Sequence, residues 1–315
     1  MSGRSILVYH PEPGEALAYA RRITQPRPVF TVTTGTTPAE AAGHVADAEI
    51  LYAWNFPREL LPKATRLRWV QNMGAGVERF LVPELPPRVK LTRVAGIFGP
   101  WMAEYVLGWC LWSTQRAELF RARQRERRWQ ATDPLRLHGS TLCMVGLGDI
   151  GRTIARAARA FGMHVTGVSQ RGRKVAKVER VYRTRDLRKA IVAADFVVLT
   201  VPLTPATRHL VSAAELAAMK PSAWLLNIAR GPIVDEAALV DALAAKRIAG
   251  AVLDVFDEEP LPAAHPLWAL DNVVITPHIS GPGTSDEIAP IFNDNLRRYL
   301  AGRPLRFSVD RRRGY

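Results

Sequence analysis

The feature that most constrains the fold is a glycine turn set between an apolar run and a helical pattern. The run Thr141–Val145 is apolar, and the turn Gly146–Gly151 follows it directly. Apolar residues then recur at helical spacing from Ile154 to Phe161, before a second apolar run at Met163–Val168. This order predicts a strand, a helix and a parallel strand joined by a G-x-G-x-x-G turn.

The glycines of this turn suit the pyrophosphate of a dinucleotide. The first glycine permits the tight turn, the second lets the backbone approach the phosphates, and the third lets the helix pack against the strand. The helix N-terminus offers N–H groups and a partial positive charge to an anion. An ordinary tight turn can also use glycine, but the position between strand and helix favours a cofactor site. The predicted contacts here are Gly146, Gly148, Asp149, Ile150 and Gly151.

The end of the second strand indicates which dinucleotide binds. An NAD site usually carries an Asp or Glu about 20 residues beyond the turn, where it binds the ribose 2′-hydroxyl. This chain has Ser169, Gln170, Arg171, Gly172 and Arg173 at that place. With no acid and two arginines able to bind a phosphate, the sequence favours NADP(H), with NAD(H) also possible; the alternative is a solvated basic loop.

The rest of the pattern predicts an α/β protein of two doubly wound parallel-sheet domains. Strands alternate with short helices through the first hundred residues, which indicates a flavodoxin-like sheet, and the dinucleotide unit indicates a Rossmann sheet of six strands. We assign residues 1–100 and 284–315 to a substrate domain and 101–283 to a dinucleotide-binding domain. One long helix, Met102 to about Arg125, is expected to pass between them, and glycines and prolines near Gly99 and Gly281–Gly283 are candidate hinges for domain closure.

Strands and helices are predicted along the whole chain. Strands are expected at 5–9, 29–33, 49–53, 67–71, 90–94, 141–145, 163–168, 195–200, 223–227, 250–254 and 272–276, and the short segment 180–182 is left without an assigned element. Helices are expected at 15–22, 39–48, 102–125, 187–193, 212–219, 235–245 and 284–300. Capping boxes with Glu three residues after Ser or Thr begin the helices at Thr37, Ser212 and Thr284.

The charge and cysteine content narrow the class of protein. The net charge is +14, but the arginines are scattered, so a solvated basic surface is favoured over nucleic-acid binding. Such a surface would also attract anionic substrate and cofactor. The two cysteines lie in apolar runs and have no metal-ligand spacing, which predicts core residues and no metal site. No membrane-length apolar segment occurs, and the N-terminus leads straight into a strand, so we expect a cytoplasmic protein.

Three loops that follow predicted strands carry residues for proton transfer. They present Arg230, Glu259 and His278. Ligands of open α/β sheets bind at the carboxyl ends of the strands. Reduction of a ketone by hydride creates an alkoxide that imidazole can protonate, a carboxylate stabilises the imidazolium, and arginine holds a carboxylate substrate. Each residue alone fits a structural role better than a functional one, but their joint placement reverses that preference and favours catalysis.

These loops, with the glycine turn and the segment Val201–Arg208, resemble the D-2-hydroxyacid dehydrogenase family over nearly the whole chain. The resemblance implies that Arg230 orients the substrate, Glu259 is the carboxylate partner and His278 is the acid/base. It implies further cofactor contacts from Val201, Pro202, Thr207, Ile228, Ala229, Arg230, Asp254 and His278, with Asp254 near the nicotinamide amide. It implies substrate contacts from Trp54, Met73, Gly74, Ala75, Gly76, Arg230 and His278, where the glycine loop receives the substrate carboxylate through backbone N–H groups.

Within that family the glyoxylate/hydroxypyruvate reductases are most similar, in segments such as Met102–Val106 and Val309–Tyr315. The branch implies a preference for NADPH and a homodimer that uses the long helix and the segment Trp129–His138. The chain departs from it only mildly, with Glu78 after Val77 where Asp is usual. We therefore expect an NADPH-preferring reductase of small 2-oxo acids. The alternatives are a dehydrogenase for a larger 2-oxo acid and an NAD(P)-sensing binding protein like the corepressors that share this fold.

Overall fold

The computed structural model describes residues 3–25 and 29–315, in two compact units. The first unit comprises residues 1–97 and 283–315, and the second comprises residues 98–282. Met1 and Ser2, at the start of the predicted N-terminal lead into the first strand, lie outside the described residues.

The first unit is built on a parallel five-stranded sheet. Its strands are β1 (Arg4–Tyr9), β2 (Phe30–Gly35), β3 (Ala48–Ala53), β4 (Trp69–Asn72) and β5 (Lys90–Thr92). They are arranged in the order β2-β1-β3-β4-β5, and all neighbours are parallel. This order is the flavodoxin-like one, so the predicted fold class is confirmed for this unit.

Three helices accompany that sheet: α1 (Pro13–Arg21), α2 (Pro38–His44) and, from the end of the chain, α9 (Ser285–Leu300). Helix α2 ends four residues before the predicted Ala48, because Ala48 already belongs to β3. The Thr37 hydroxyl accepts from the Glu40 N–H, but the Glu40 carboxylate accepts from Thr36 rather than Thr37. The predicted capping box of α9 does form, between Thr284 and Glu287.

The second unit is built on a parallel seven-stranded sheet in the order β12-β11-β10-β9-β6-β7-β8. Its strands are β6 (Thr141–Val145), β7 (His164–Ser169), β8 (Arg180–Arg183), β9 (Phe196–Leu199), β10 (Trp224–Asn227), β11 (Gly250–Leu253) and β12 (Val273–Ile275). The predicted count of six strands is wrong by one, because the short segment at Arg180 pairs along the whole end of β7 as an edge strand. The Rossmann class is confirmed.

Helices surround this sheet. They are α3 (Phe98–Thr114), α4 (Ala117–Arg125), α5 (Asp149–Ala160), α6 (Leu187–Ile191), α7 (Ala213–Ala218) and α8 (Glu236–Ala244). The single long helix predicted from Met102 to Arg125 is wrong, since α3 and α4 are separate. Arg116 adopts a left-handed backbone with φ +52°, and the hydroxyls of Ser113 and Thr114 bond back to the carbonyl of Cys110, which competes with continuation of the helix.

Each unit has its own hydrophobic core. In the second unit, Cys143, Val197, Leu225 and Ala251 from four neighbouring strands share one buried cluster. Both cysteines are buried, and burial raises the pKa of the Cys143 thiol to about 12. Among residues 3–25 and 29–315, no helix has the length and apolar character needed to cross a lipid bilayer.

Candidate active site

The three loops predicted to carry chemistry leave the same edge of the seven-stranded sheet. Strands β10, β11 and β12 are neighbours, and their last residues are in register: Asn227 pairs with Leu253, and Leu253 pairs with Ile275. Parallel strands in register deliver their following loops side by side. Three adjacent loops of one unit therefore carry Arg230, Glu259 and His278. We call these three residues the histidine cluster.

His278 and Glu259 are hydrogen-bonded to each other. The distance from His278 Nδ1 to Glu259 Oε2 is 2.8 Å, and the other carboxylate oxygen accepts from the Phe256 N–H at 3.1 Å. An ionised carboxylate only accepts, so Nδ1 carries a proton and Nε2 is left as the nitrogen that exchanges one. Among the residues that the structure describes, Nε2 has no hydrogen-bond partner. The imidazole is thus fixed at one nitrogen and available at the other.

The surroundings keep Glu259 ionised. Burial alone would raise the pKa of Glu259, but the hydrogen bonds from His278 and Phe256 and the charges of His278 and Arg230 outweigh it, and the net pKa lies below the usual value. The influence of Arg230 shows that its guanidinium lies close enough to act on the carboxylate. All three members of the histidine cluster are therefore electrostatically connected.

Arg230 is positioned by the loop after β10. The Arg230 carbonyl accepts from the buried Asn227 amide at 3.0 Å, and Arg230 Nη1 donates to the Ala229 carbonyl at 2.6 Å. The next residue is Gly231, and a Cβ there would collide with the backbone of Phe256 and Asp257. The glycine therefore allows the arginine loop to press directly against the loop that carries Glu259.

The His278 loop is tied to a buried carboxylate. Asp254 is 0% exposed. Its Oδ1 accepts from the Thr276 hydroxyl at 2.6 Å and the Ile279 N–H at 2.8 Å, and its Oδ2 accepts from the Ser280 N–H at 2.9 Å. These bonds bracket His278, whose own backbone is left-handed, with φ +56°. The bracket offsets the cost of an uncommon backbone for a residue with a side chain.

The Thr276 hydroxyl also meets helix α3. Its oxygen lies 2.6 Å from the hydroxyl of Tyr105. Thr276 donates its own proton to Asp254, so the Tyr105 hydroxyl, whose pKa is raised by burial, is the donor of this bond. A hydrogen-bond chain thus runs from Tyr105 through Thr276 and Asp254 to the backbone on either side of His278.

The glycine turn has the shape that a pyrophosphate requires. Gly146 adopts φ +110°, and a Cβ on Gly151 would fall against the Gly146 carbonyl. A Cβ on Gly148 would meet no atom within 4 Å, so the backbone there faces open space. Helix α5 begins just beyond, with Gly148 as its N-cap and Asp149 and Ile150 in its first turn. These features fit a dinucleotide cofactor.

The predicted 2′-phosphate residues lie beside that turn. The Gly146 N–H donates to the Val168 carbonyl, and Ser169 follows Val168 at the end of β7. A recess of about 400 Å³ opens there. We call it the arginine recess, and its lining residues are Gln170, Arg171, Arg173 and Arg183.

The other predicted cofactor residues lie on loops at the same sheet edge. Thr207 turns back over its own loop, where its hydroxyl donates to the Pro202 carbonyl at 2.6 Å, and both Val201 and Pro202 are half-buried. Ile228 and Ala229 are 4% and 7% exposed. Their backbone rather than their side chains is thus available to a ligand.

The predicted carboxylate-binding loop lies in the first unit, after β4. The Asn72 amide donates to the carbonyls of Gly74 and Gly76. The N–H groups of Gly74, Ala75 and Gly76 donate to no acceptor among the described part of the chain. The Trp54 ring packs on Gly74, where a Cβ would clash with it, while Met73 is buried at 2% exposure. The loop is thus shaped from within and presents backbone donors, as an anion requires.

Several residues that shape these sites escaped the sequence argument. Asn72 and Asn227 hold loops through their amides, Tyr105 and Thr276 extend the Asp254 chain, and Arg183 lines the recess. Asn72 and Asn227 each end an apolar strand, and that sequence pattern could have identified them as residues that hold the following loops. Arg183 was not recognisable as a neighbour of Arg171, because strand order is needed to bring β8 beside β7.

A family model describes much of this unit. Residues 107–280 match the model for the D-isomer specific 2-hydroxyacid dehydrogenase, NAD binding domain. The match contains the glycine turn, the arginine recess and the histidine cluster.

Individual relatives agree with that match. A D-3-phosphoglycerate dehydrogenase from Methanocaldococcus jannaschii is 34% identical over 86% of this chain, although the chain spans only 53% of that relative's length. A glyoxylate/hydroxypyruvate reductase A from Photorhabdus laumondii is 30% identical over 85% of this chain and 88% of its own. The crystal structure of an NADPH-dependent glyoxylate/hydroxypyruvate reductase from Sinorhizobium meliloti, in complex with NADP and sulfate, is 27% identical. It superposes with a TM-score of 0.90 and covers 99% of this chain and 100% of its own.

Proposed function

Because this chain belongs to the D-isomer specific 2-hydroxyacid dehydrogenase family of NAD(P)-dependent oxidoreductases, we propose that it is an NADPH-preferring reductase of small 2-oxo acids such as glyoxylate or hydroxypyruvate. The observation that carries the proposal is the histidine cluster, at the same sheet edge as the glycine turn. The product of the reduction would be a D-2-hydroxy acid wherever the reduced carbon becomes chiral.

The chain's residues supply the proton and the charge that reduction needs. When bound, the nicotinamide supplies a hydride to the carbonyl carbon of the substrate. His278 gives the proton on Nε2 to the carbonyl oxygen, since Nδ1 is occupied by Glu259. The Glu259 carboxylate stabilises the imidazolium before transfer, and Arg230 holds the substrate carboxylate and polarises the carbonyl.

The preference for NADPH rests on the corner beyond the glycine turn. Ser169 and Gln170 stand where an acid would bind the ribose of NAD, and Arg171 and Arg173 line a recess able to accept a phosphate. The Sinorhizobium relative, described as NADPH-dependent, was crystallised with NADP. Both facts support the same cofactor.

Small substrates are favoured by the first unit's loop. Its unpartnered N–H groups at Gly74, Ala75 and Gly76 suit a substrate carboxylate, and the bulky Trp54 ring packed on Gly74 restricts space beside it. We include in the proposal that this loop receives the substrate carboxylate.

A second candidate substrate class is a phosphorylated or otherwise larger 2-hydroxy acid. The phosphoglycerate dehydrogenase relative favours it, at 34% identity. The same histidine cluster would serve either class, so only the substrate differs. A comparison of kcat/KM for substrates of the two classes decides between them.

The homodimer implied by the resemblance also remains part of the proposal. Large apolar side chains are exposed along α4 and the following segment, where Phe120, Trp129 and Leu135 are 39%, 103% and 56% exposed. Such residues suit a protein interface. Light scattering of the purified chain measures the mass, and a monomer at micromolar concentration would contradict the dimer.

The test of the function is a panel of 2-oxo acids assayed with NADPH and with NADH. We expect the highest kcat/KM for glyoxylate or hydroxypyruvate with NADPH. Higher kcat/KM for 3-phosphohydroxypyruvate would favour the second class. Cofactor binding without turnover of any 2-oxo acid would contradict an enzyme and favour a nucleotide-sensing protein.

A further inference from the structure

We propose that Arg183 is a third specificity-determining residue for the cofactor, which completes with Arg171 and Arg173 a receptor for the 2′-phosphate of NADP(H). This inference rests on the proposed function, because it concerns the cofactor of the same reaction. It adds a residue from a different strand to a site that otherwise consists of one loop.

The strand register places Arg183 at the site. Strands β7 and β8 are parallel, and Ser169 pairs directly with Arg183. One position earlier on β7, Val168 pairs with Val145, the last residue before the glycine turn. The glycine turn, Ser169 and Arg183 therefore leave three adjacent strands at one level of the sheet edge.

The turn between the two other arginines packs on the Arg183 side chain. Gly172 adopts φ +62°, and a Cβ built there would lie 2.9 Å from Arg183 Cγ. Only a residue without a side chain allows this approach. The aliphatic stem of Arg183 is thus held against the loop that carries Arg171 and Arg173, and Arg183 lines the same recess of about 400 Å³.

The charges of the arginine recess are not balanced by the protein. Among the ion pairs of the described residues, none involves Arg171, Arg173 or Arg183. Other arginines of this unit do have partners, as Arg159 has Glu179 and Arg188 has Glu215. Three like charges around one space repel one another, and a bound dianion would remove that repulsion and accept hydrogen bonds from each.

The position identifies the anion. The pyrophosphate is served by the glycine turn on β6, one strand away from the recess. In this fold the adenosine ribose binds at the end of the second strand of the βαβ unit, which is β7 here. A phosphate on the ribose 2′-oxygen is therefore the anion that the recess fits.

The experiment measures binding rather than turnover. Calorimetric titrations with 2′,5′-ADP and with 5′-AMP, which lacks the 2′-phosphate, are compared for the parent chain, Arg183→Ala and Arg183→Met. Methionine keeps much of the stem that packs on Gly172 while removing the charge. We expect the 2′,5′-ADP affinity of both variants to fall about tenfold, the effect of one charge-assisted contact, with 5′-AMP affinity changed less than about twofold.

Arg180→Ala is the matched control. Arg180 lies on the same strand, and its guanidinium sits over the Tyr182 ring at 4.7 Å, at the opposite end of β8 from the recess. The substitution Arg180→Ala removes one positive charge from the same strand without touching the recess. We therefore expect its affinity for 2′,5′-ADP to be unchanged. A comparable loss in Arg180→Ala would overturn the proposal, because the effect would then be one of net charge alone.

Two further results have separate meanings. Equal 2′,5′-ADP affinity in the parent and both Arg183 variants would overturn the role of Arg183 and leave the NADPH preference to Arg171 and Arg173. A parent chain that binds 5′-AMP as tightly as 2′,5′-ADP would overturn both the receptor and the NADPH preference, and would leave 2-oxo acid reduction with NADH standing.

Discussion

The histidine cluster and the arginine recess lie on the same sheet edge but are built in opposite ways. At the cluster, Glu259 has both oxygens occupied and Asp254 has three donors, all from the protein itself. At the recess, three guanidinium groups stand without a carboxylate partner in the described residues. One site is organised before any ligand arrives, and the other is left for a ligand to complete.

The contrast follows from what each site must do. A proton donor must be held in a fixed orientation, because even a small displacement of the reacting groups lowers the reaction rate. A site that distinguishes a phosphate from a hydroxyl gains most when its charges have no other partner. Breaking the two sites should therefore have different consequences, in kcat at the cluster and in cofactor affinity at the recess.

The largest expected effect is on turnover when the imidazole is removed. His278→Asn should lower kcat about a thousandfold, since general acid catalysis contributes about 10² to 10⁴, with NADPH affinity nearly unchanged. Steady-state kinetics with calorimetry measures both. The matched control is His265→Asn, because His265 makes a similar 3.0 Å bond to Glu236 at the start of helix α8. Equal kcat for His278→Asn and the parent would remove His278 from the mechanism.

Next in size is the introduction of a negative charge beside the recess. Ser169→Asp should lower the ratio of kcat/KM with NADPH to kcat/KM with NADH about thirtyfold. A carboxylate repels the 2′-phosphate of NADPH and accepts hydrogen bonds from the ribose hydroxyls of NADH. The same assay with Ser169→Asn separates charge from size. An unaltered ratio in Ser169→Asp would mean that this corner does not read the phosphate.

A smaller effect is expected from loosening the support of the cluster. Thr276→Val removes the hydroxyl that joins Tyr105 to Asp254 and should lower kcat about tenfold through a less ordered His278 loop, with little change in NADPH affinity. Tyr105→Phe leaves the Thr276–Asp254 bond in place and should cost less. A Thr276→Val enzyme with parental kcat and parental pH profile would contradict the positioning role.

The smallest effect concerns stability and pH. The pKa of Glu259 is lower in the folded protein, so its ionisation stabilises the fold above the ordinary value of about 4.3 and that contribution is lost as pH falls through the lower folded pKa. Because the pair is partly exposed, we expect at most about 1 kcal/mol between the parent and Glu259→Gln. Chemical denaturation at pH 7 and pH 3 measures it, and a gap that widened in acid would contradict the assignment.

The sequence predicted best where local pattern and fold agree. The glycine turn lies between a buried strand, whose predicted bounds 141–145 are those of β6, and an amphipathic helix, whose predicted spacing from Ile154 to Phe161 falls in α5 and its C-cap. The three strand-end loops were also correctly grouped, since adjacent parallel strands must end together. The pairing of His278 with Glu259 came from the family resemblance alone, since local pattern does not show a 2.8 Å bond between loops whose path is set by Asp254 and Gly231.

Prediction failed where tertiary neighbours override local preference. The segment around Arg116 has good helix formers on both sides, yet Arg116 is left-handed there and bonds with the segment beyond α4 hold the end of α3. The Thr114 carbonyl accepts from the Leu135 N–H at 2.7 Å, and Arg116 Nε donates to the Asp133 carbonyl at 2.9 Å. Arg183 looked like one more surface cation, because its relation to Arg171 exists only through the pairing of β7 with β8. Both failures concern information that resides in the packing rather than in the neighbouring residues.

Gly231 has a consequence for how far this chemistry can be altered. It lies directly after the arginine that orients the substrate in our proposal, and it is pressed against the chain that leads to the glutamate. Even a methyl group at this position would collide with the backbone of Phe256 and Asp257 and push the arginine loop away from the loop that carries Glu259. Substrate scope can therefore be re-engineered around the pocket walls, while this one backbone crossing must stay bare.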